Sequence, residues 1–151
     1  MSDERAYNVG IDLGGSHIEA AIADSNGNII SCVSQDVISK TKEQVTAIIS
    51  HLLQKCLDES KINIEQIKFI GIGVPGSFEG TIIKKLINIG LENFDIGEAL
   101  RHIVASDVKI MLENDAHCAA IAELALGSLK GVEHAIMLTF GTGVGVRNNY
   151  K

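Results

Sequence analysis

The stretch Leu112-Glu113-Asn114-Asp115-Ala116 decides how the middle of the chain is interpreted. It ends an apolar run that begins at Val108, and it precedes residues 116–126, which are rich in alanine, isoleucine and leucine. It therefore predicts a strand followed at once by a helix, with Asp115 at the corner. Open α/β sheets bind their ligands at such corners, at the carboxyl ends of the strands. Asp115 is accordingly our first candidate for a functional residue.

Two roles for Asp115 fit this position from the residues alone. Asp is a favoured helix N-cap, because its carboxylate accepts a hydrogen bond from the first helical turn. It can instead act as a general base that accepts the proton of an attacking hydroxyl. His117 and Cys118 follow closely, but their spacing from Asp115 matches no common zinc pattern. We expect no zinc site within this chain, whose three cysteines include no CxxC pair.

Apolar periodicity places a sheet around this corner. Strand-like alternation, or a short apolar run, predicts strands at residues 9–13, 18–23, 29–34, 67–74, 108–112 and 135–139. Helical spacing of apolar residues predicts helices at residues 41–60, 95–104 and 116–126. Residues 77–90 are expected to be irregular, with a short extended piece. The order βββαβαβα, followed by one more strand, predicts an α/β fold. We expect a ribonuclease-H-like lobe, with a mixed five-stranded sheet and flanking helices.

Two glycine-rich segments follow predicted strands. The first is Asp12-Leu13-Gly14-Gly15-Ser16, in which Gly14 and Gly15 are expected to make a tight turn that needs positive φ. The second is Gly141-Thr142-Gly143-Val144-Gly145, which is not a Walker loop because no Gly-Lys-Ser/Thr follows. Exposed backbone N–H groups in such turns can hold a phosphate, although both segments also fit ordinary turns. A carboxylate beside the first one, Asp12, suits hydrated Mg²⁺.

A third corner is Gly71-Ile72-Gly73-Val74-Pro75-Gly76, where the only proline of the chain ends a strand. It fits either simple strand termination or a rigid turn that lines a ligand cleft. Asn88 and Asn93 lie in the segment that follows. Their amides suit sugar hydroxyls, and they equally suit turns.

Taken in this order, these segments resemble the ROK family of sugar kinases, which is built on the actin-like ATPase fold. The resemblance covers about residues 8–145. It implies that Asp115 is the catalytic base and that Asn114, Gly76, Ser77 and Asn88 bind the sugar. It implies that ATP is held by Asp12, Gly14, Gly15, Ser16, Thr139, Gly141, Thr142 and Gly143. It further implies that Asp12 holds Mg²⁺ through water.

The resemblance covers only the first half of the family's architecture. Residues 1–132 correspond to its N-terminal lobe, and residues 133–151 to the first strand and phosphate loop of a second lobe. The rest of that lobe, which completes the sugar site and usually carries a zinc-binding cysteine cluster, is not in the sequence. We therefore expect a truncated lobe of a glucokinase-like, ATP-dependent kinase for a hexose or amino-sugar hydroxyl, with little activity alone.

Composition limits the partners. Apolar residues make up 46% of the chain and charged residues 21%, as in folded domains. The formal net charge is -6 without a Lys/Arg cluster, which argues against nucleic acid and anionic membranes. No apolar run reaches the ~18 residues of a membrane-spanning helix. Three well-separated cysteines and no visible signal peptide favour the reducing cytoplasm.

Three alternatives stay open at this point. The donor can be polyphosphate instead of ATP, although no basic groove is evident. The chain can be a single lobe that binds sugar or a partner without catalysis. It can also form a homodimer that buries the face meant for a second lobe. A sugar-responsive repressor is disfavoured, because about seven residues precede the first strand and leave no room for a helix-turn-helix.

Overall fold

Ten strands and three α-helices occur in the part of the chain that this computed structural model describes, residues 6–38, 40–140 and 144–149. The first elements are β1 (Tyr7–Leu13), β2 (His17–Asp24), β3 (Ile29–Asp36), α1 (Lys42–Ser60) and β4 (Ile67–Val74). A 3₁₀ turn at Ile64–Gln66 precedes β4. The middle elements are β5 (Ser77–Glu79), β6 (Ile82–Leu86), β7 (Leu91–Asp95) and α2 (Ile96–Leu100). The last are β8 (Lys109–Asn114), α3 (Asp115–Ala125), β9 (Ala135–Phe140) and β10 (Val144–Asn149).

Five of these strands form one mixed sheet, in the spatial order β3-β2-β1-β4-β8. The pairs β1–β2 and β2–β3 are antiparallel, whereas β1–β4 and β4–β8 are parallel. The parallel strands β1, β4 and β8 therefore end at the same edge of the sheet. The predicted mixed five-stranded sheet is confirmed.

One face of this sheet packs against α1. The buried side chains of β1, which are Val9, Ile11 and Leu13, alternate with exposed ones. The helix contributes a buried stripe, which consists of Val45, Ile49, Leu52, Leu53, Cys56 and Leu57. Each fully buried Leu or Ile stabilises the fold by roughly 1.5–3 kcal/mol relative to exposure. Thr41 caps α1 by accepting a hydrogen bond from the Gln44 N–H at 3.3 Å.

Residues 77–95 form a small antiparallel sheet in the order β5-β6-β7, and the prediction of an irregular excursion there was wrong. Gly80 (φ 59°) makes the first turn, and Gly90 (φ 73°) makes the second. The sheet holds together because one side of it is apolar and buried, at Ile83, Leu86, Leu91 and Phe94. Charged residues between those positions hid the strand pattern in the sequence.

Helix α2 is shorter than the predicted helix over residues 95–104. Asp95 caps it by accepting a hydrogen bond from the Glu98 N–H at 3.0 Å, as its position suggested. After Leu100 the backbone continues in turns, in which the Ile103 and Val104 N–H groups donate to the Leu100 carbonyl. Arg101 then donates to the Val108 carbonyl at 2.8 Å, which helps to redirect the chain into β8.

Strands β9 and β10 pair with each other in a separate two-stranded sheet. Among the described residues, no helix is both long enough and apolar enough to cross a membrane.

Candidate active site

The carboxyl ends of β1, β4 and β8 bring three predicted segments together. In the sheet register Asp12 lies opposite Gly73, and Gly73 lies opposite Glu113. Residues that are opposite each other on neighbouring strands project to the same face. Two carboxylates therefore flank a glycine on one face of the sheet, immediately before Asp115 begins α3.

Gly73 brings β4 close to the first turn of α3. A β-carbon at Gly73 would lie 3.7 Å from the Cα of Asp115 and 3.8 Å from the Sγ of Cys118. Cys118 lies on the first turn of α3, so β4 and this helix meet closely at the site. The predicted Gly-x-Gly-x-Pro-Gly corner thus lies next to the candidate catalytic residue.

Asp115 is not the N-cap of α3, so that interpretation was wrong. Asn114 is the cap, and its Oδ1 accepts a hydrogen bond from the His117 N–H at 3.2 Å. Asp115 is the first residue of the helix and is partly buried. Its Oδ1 accepts from the Ala116 N–H at 2.7 Å. The carboxylate is therefore held at the start of the helix.

Glu113 also stabilises the junction between β8 and α3. Its Oε1 accepts a hydrogen bond from the Asn114 N–H at 2.8 Å and lies 3.1 Å from the Nδ1 of His117. The contact with His117 links the end of β8 to the first turn of α3. The strand end and the first helical turn are thereby joined on both sides of Asp115.

Electrostatics show that Asp12 and Asp115 share one environment. Burial raises the pKa of Asp12, and the negative charge of Asp115 raises it further, while His17 opposes both. Asp12 is nevertheless an exposed residue, so solvent screens these effects. The pKa of Cys118 is raised by burial and then by Glu113, Asp115 and Asp12. A cation bound here would relieve this repulsion, so Asp12 fits the hydrated Mg²⁺ that the resemblance implies.

The first glycine-rich segment, residues 12–16, is predicted to bind phosphate, and its glycines are needed for reasons of space. Neither Gly14 nor Gly15 has positive φ, so the prediction of a turn that requires it was wrong. A β-carbon on Gly14 would lie 2.7 Å from the carbonyl oxygen of His17. One on Gly15 would lie 2.9 Å from the Cβ of Asn88. Ser16 completes the loop, and its Oγ lies 3.2 Å from the Nδ1 of His17.

Apart from Asn114, the predicted sugar-binding residues lie in the small sheet or directly before it. A β-carbon on Gly76 would collide with the carbonyl oxygen of Lys85. Ser77 begins β5 and is exposed. Asn88 is exposed in the turn between β6 and β7, against Gly15. The structure thus brings Asn88 to the predicted first phosphate loop, a contact that the sequence did not indicate.

Sequence reasoning missed Lys40. Its Nζ donates to the carbonyl oxygen of Asn88 at 2.8 Å, across 48 positions of sequence. An isolated lysine before a helix carries no pattern that would have identified this contact.

The structure describes only part of the predicted second phosphate loop. Thr139 lies in β9, and its backbone is paired opposite Gly145 in β10. Gly141, Thr142 and Gly143 lie outside the described residues.

A metal cluster and a second cavity are the other features that could mark a site on the described part of the chain. Within it, no group of three His, Cys, Asp or Glu side chains could hold a metal ion. A shallow depression of about 590 Å³ lies at the amino ends of the parallel strands, lined in part by Asn8, Lys68 and Lys109. It is at the opposite end of the sheet from Asp12 and Asp115, and it contains none of the predicted site residues.

Comparison of sequences gives relatives across almost the whole chain. A glucokinase of Thermotoga maritima is 30% identical over 141 residues, which are 91% of this chain and 42% of that protein. A xylose repressor of Bacillus subtilis is 24% identical over 149 residues, 97% of this chain and 38% of the repressor. The chain therefore spans less than half the length of these relatives.

Solved structures share the fold. The ROK hexokinase of Thermus thermophilus matches with a TM-score of 0.76 and 31% identity, over 95% of this chain and 47% of that one. The Streptomyces griseus ROK glucokinase, in complex with glucose and AMPPNP, matches with a TM-score of 0.80 and 23% identity, over 95% and 44%. An inorganic polyphosphate/ATP-glucomannokinase of Arthrobacter matches with a TM-score of 0.80 and 23% identity, over 96% and 58%. The predicted fold class is confirmed.

The family model for the ROK family matches residues 8–147. This range contains Asp12, Gly73, Asn114 and Asp115, the residues that the sheet brings to one edge. The chain therefore belongs to the ROK family.

Proposed function

We propose that this chain carries the catalytic base and the first phosphate loop of an ATP-dependent sugar kinase. The observation that supports this most is the position of Asp115. Asn114 caps α3, so Asp115 is not needed as the helix cap. Asp115 also lies close enough to Asp12 for its charge to act on that carboxyl. The glycine loop and Asn88 border the same edge of the sheet. A sugar hydroxyl and a phosphate chain can be held next to each other there.

The proposed reaction is direct transfer. Asp115 accepts the proton of a hexose or amino-sugar hydroxyl while that oxygen attacks the γ-phosphorus of ATP. The bond between this phosphorus and the oxygen bridging to the β-phosphate breaks, and ADP leaves with that electron pair. General-base assistance of this kind typically contributes about 10²–10⁴-fold in rate. Positioning and charge stabilisation supply most of the remainder.

Other residues of the site hold the reactants. The backbone N–H groups of Gly14 and Gly15 would bind the phosphates, and Ser16 would add a hydroxyl. Asn114 uses its Oδ1 for the helix cap, so its Nδ2 is the donor for a sugar hydroxyl. Gly76, Ser77 and Asn88 line the part of the site that binds the sugar, which we call the sugar side. Bound Mg²⁺ would neutralise phosphate charge beside Asp12.

The division of the chain is part of the proposal. Residues 1–132 form the N-terminal lobe, and residues 133–151 begin a second lobe with β9, β10 and the second glycine segment. The separate pairing of β9 with β10 supports this division. The relatives above are more than twice as long as the region they share with this chain. The 151 residues alone should therefore transfer phosphate weakly, and the reaction belongs in the cytoplasm, where ATP is available.

Polyphosphate is the second candidate donor. The Arthrobacter structure supports it, because that enzyme is named for both polyphosphate and ATP. The net charge of -6 opposes it, since a long polyanion needs a basic groove. The third candidate function is that of a lobe that binds sugar without catalysis, and the match to a xylose repressor supports it.

Binding and turnover separate these possibilities. Amide NMR spectra of the full chain, titrated with glucose, MgATP and polyphosphate, should show MgATP shifts at Gly14, Gly15 and Ser16. Glucose should shift Asn88 and Asn114. Coupled detection of ADP with a panel of hexoses then measures turnover, with Asp115→Asn as the control. Phosphate-loop shifts with polyphosphate alone would favour the second donor, and turnover of several per second would contradict the weak activity expected of this chain.

A further inference from the structure

The segment between β3 and α1 touches both the phosphate loop and the turn that carries Asn88. The Val37 N–H donates to the Ser16 carbonyl at 2.8 Å. Three residues further on, the Lys40 Nζ donates to the Asn88 carbonyl at 2.8 Å. One short piece of chain is therefore bonded to two loops that are distant in sequence.

The turn that Lys40 holds is tight and well defined. The Ile89 N–H donates to the Leu86 carbonyl at 3.3 Å, and the Gly90 N–H donates to the same oxygen at 2.7 Å. Ile89 is buried, which anchors the turn in the apolar side of the small sheet. Asn88 lies at the outer side of this turn and is exposed.

Asn88 is in close contact with the phosphate loop. The three heavy atoms nearest to a β-carbon placed on Gly15 all belong to Asn88, at 2.9, 3.7 and 3.8 Å. No β-carbon fits between Gly15 and Asn88, so the two residues are close neighbours, and in a close-packed structure a displacement of one is passed to the other. The bond from Lys40 keeps the two in contact, because it ties the Asn88 backbone to the segment that is also bonded to Ser16.

We propose that Lys40 is a positioning residue that couples the phosphate loop to the sugar-side turn. With Lys40 in place, Gly15 and Asn88 move together, so that a ligand bound at one of them displaces the other as well. The role of this coupling in catalysis rests on the proposed function: binding of the phosphates would align the sugar. The contact itself can be tested without any ligand.

Lys42 provides a matched control. Its Nζ donates to the Asn93 carbonyl at 2.9 Å, so it also joins the start of α1 to the small sheet through a lysine and a backbone oxygen. Asn93 lies in β7, and the atoms nearest to the Gly15 position are those of Asn88. Lys42→Met therefore removes the same kind of bond without touching the phosphate loop.

The first experiment compares amide NMR spectra and hydrogen exchange of the ligand-free full chain with Lys40→Met, Lys40→Arg and Lys42→Met. Lys40→Met should speed exchange of the Ile89 and Gly90 amides by about 3- to 10-fold and shift the Gly15 amide. Lys40→Arg should largely restore both, and Lys42→Met should leave both unchanged. A Gly15 amide that does not respond to Lys40→Met, or that responds equally to Lys42→Met, would overturn the proposal.

The second experiment titrates the same variants with MgATP. In the unaltered chain, shifts at Gly15 should be accompanied by shifts at Asn88 and Gly90. In Lys40→Met, Gly15 should shift while Asn88 and Gly90 do not. If MgATP shifts none of these amides in any variant, the proposed function fails, whereas the ligand-free comparison still decides the role of Lys40.

Discussion

Asp115 acts on Asp12 across Gly73, because its negative charge adds to burial in raising the pKa of the Asp12 carboxyl. The folded state therefore binds a proton at Asp12 more tightly than the unfolded state does. Stability from this group is greatest at low pH and falls as pH rises from the unfolded value of 3.8 through the raised value. At neutral pH, ionised Asp12 lowers the free energy of unfolding.

Asp12→Asn should therefore stabilise the protein at neutral pH. We expect a rise in Tm of about 1–3 °C at pH 7.5, small because Asp12 is partly solvated. The gain should shrink as pH falls and the carboxyl becomes protonated. Thermal unfolding from pH 4.5 to 7.5 measures it, with Asp36→Asn, an exposed carboxylate at the end of β3, as the control. A loss of stability, or a gain that does not depend on pH, would contradict the shared environment of Asp12 and Asp115.

Asp115→Asn should make the Cys118 thiol more reactive. Glu113, Asp115 and Asp12 together raise its pKa, in addition to burial. Removing one of these charges lowers that pKa and increases the thiolate fraction. Alkylation by iodoacetamide at pH 8 should therefore accelerate by about 2- to 5-fold at Cys118. Peptide mass spectrometry follows each cysteine separately.

Cys32 serves as the internal control in the same sample. Its pKa is also raised, but by burial and by Glu19 and Cys56. Its alkylation rate should therefore be equal in the two proteins. Equal acceleration at both cysteines would indicate loosening of the fold and not the loss of a charge.

Asn114 variants should separate its two roles. Asn114→Ala removes the cap of α3 and should lower the free energy of unfolding by about 1 kcal/mol. Asn114→Ser keeps a side-chain oxygen for the His117 N–H, so stability should stay near that of the unaltered chain. Serine cannot reproduce the Nδ2 donor, so glucose binding should still weaken. Urea unfolding and glucose titration measure the two effects, and full glucose affinity in Asn114→Ser would remove Asn114 from the sugar site.

The sequence was sufficient for the central sheet because its signals are local and regular. Alternation in β1 and the helical stripe of α1 specify which face of each is buried. The small sheet was missed because its strands are short and mix lysine and glutamate with the buried residues. Glycines were recognised as special at Gly14 and Gly15, but for the wrong reason. The reason is the approach of His17 and Asn88, which no local pattern contains.

Candidate site residues could be named from the sequence only where they belong to contiguous motifs. Asp12 and Asp115 were identified as candidates because each belongs to a short motif of neighbouring residues. Their mutual effect depends on strand order, since β4 lies between β1 and β8 and presents Gly73 at that point. The bond from Lys40 to Asn88 likewise exists only once two distant segments have been packed together.

Gly76 and Gly10 should respond in opposite ways to a single methyl group. Neither has positive φ, so the difference is one of space. In Gly76→Ala the new carbon meets the Lys85 carbonyl oxygen and lies 3.0 Å from a methyl of Leu86, which is fully buried. Displacing β6 to relieve this contact should lower the free energy of unfolding by about 1–3 kcal/mol.

A β-carbon on Gly10 meets nothing within 4 Å. Gly10→Ala should therefore be tolerated, and it should raise stability by about 0.4–1 kcal/mol because the unfolded chain loses conformational freedom. Urea unfolding of both variants measures the contrast. Because Ser77 follows Gly76 directly and pairs with Lys85, Gly76→Ala should also shift the Ser77 amide, whereas Gly10→Ala should not. Equal stability in the two variants would show that the Pro75-Gly76 corner accommodates the extra carbon. It would contradict the close packing of Gly76 against β6.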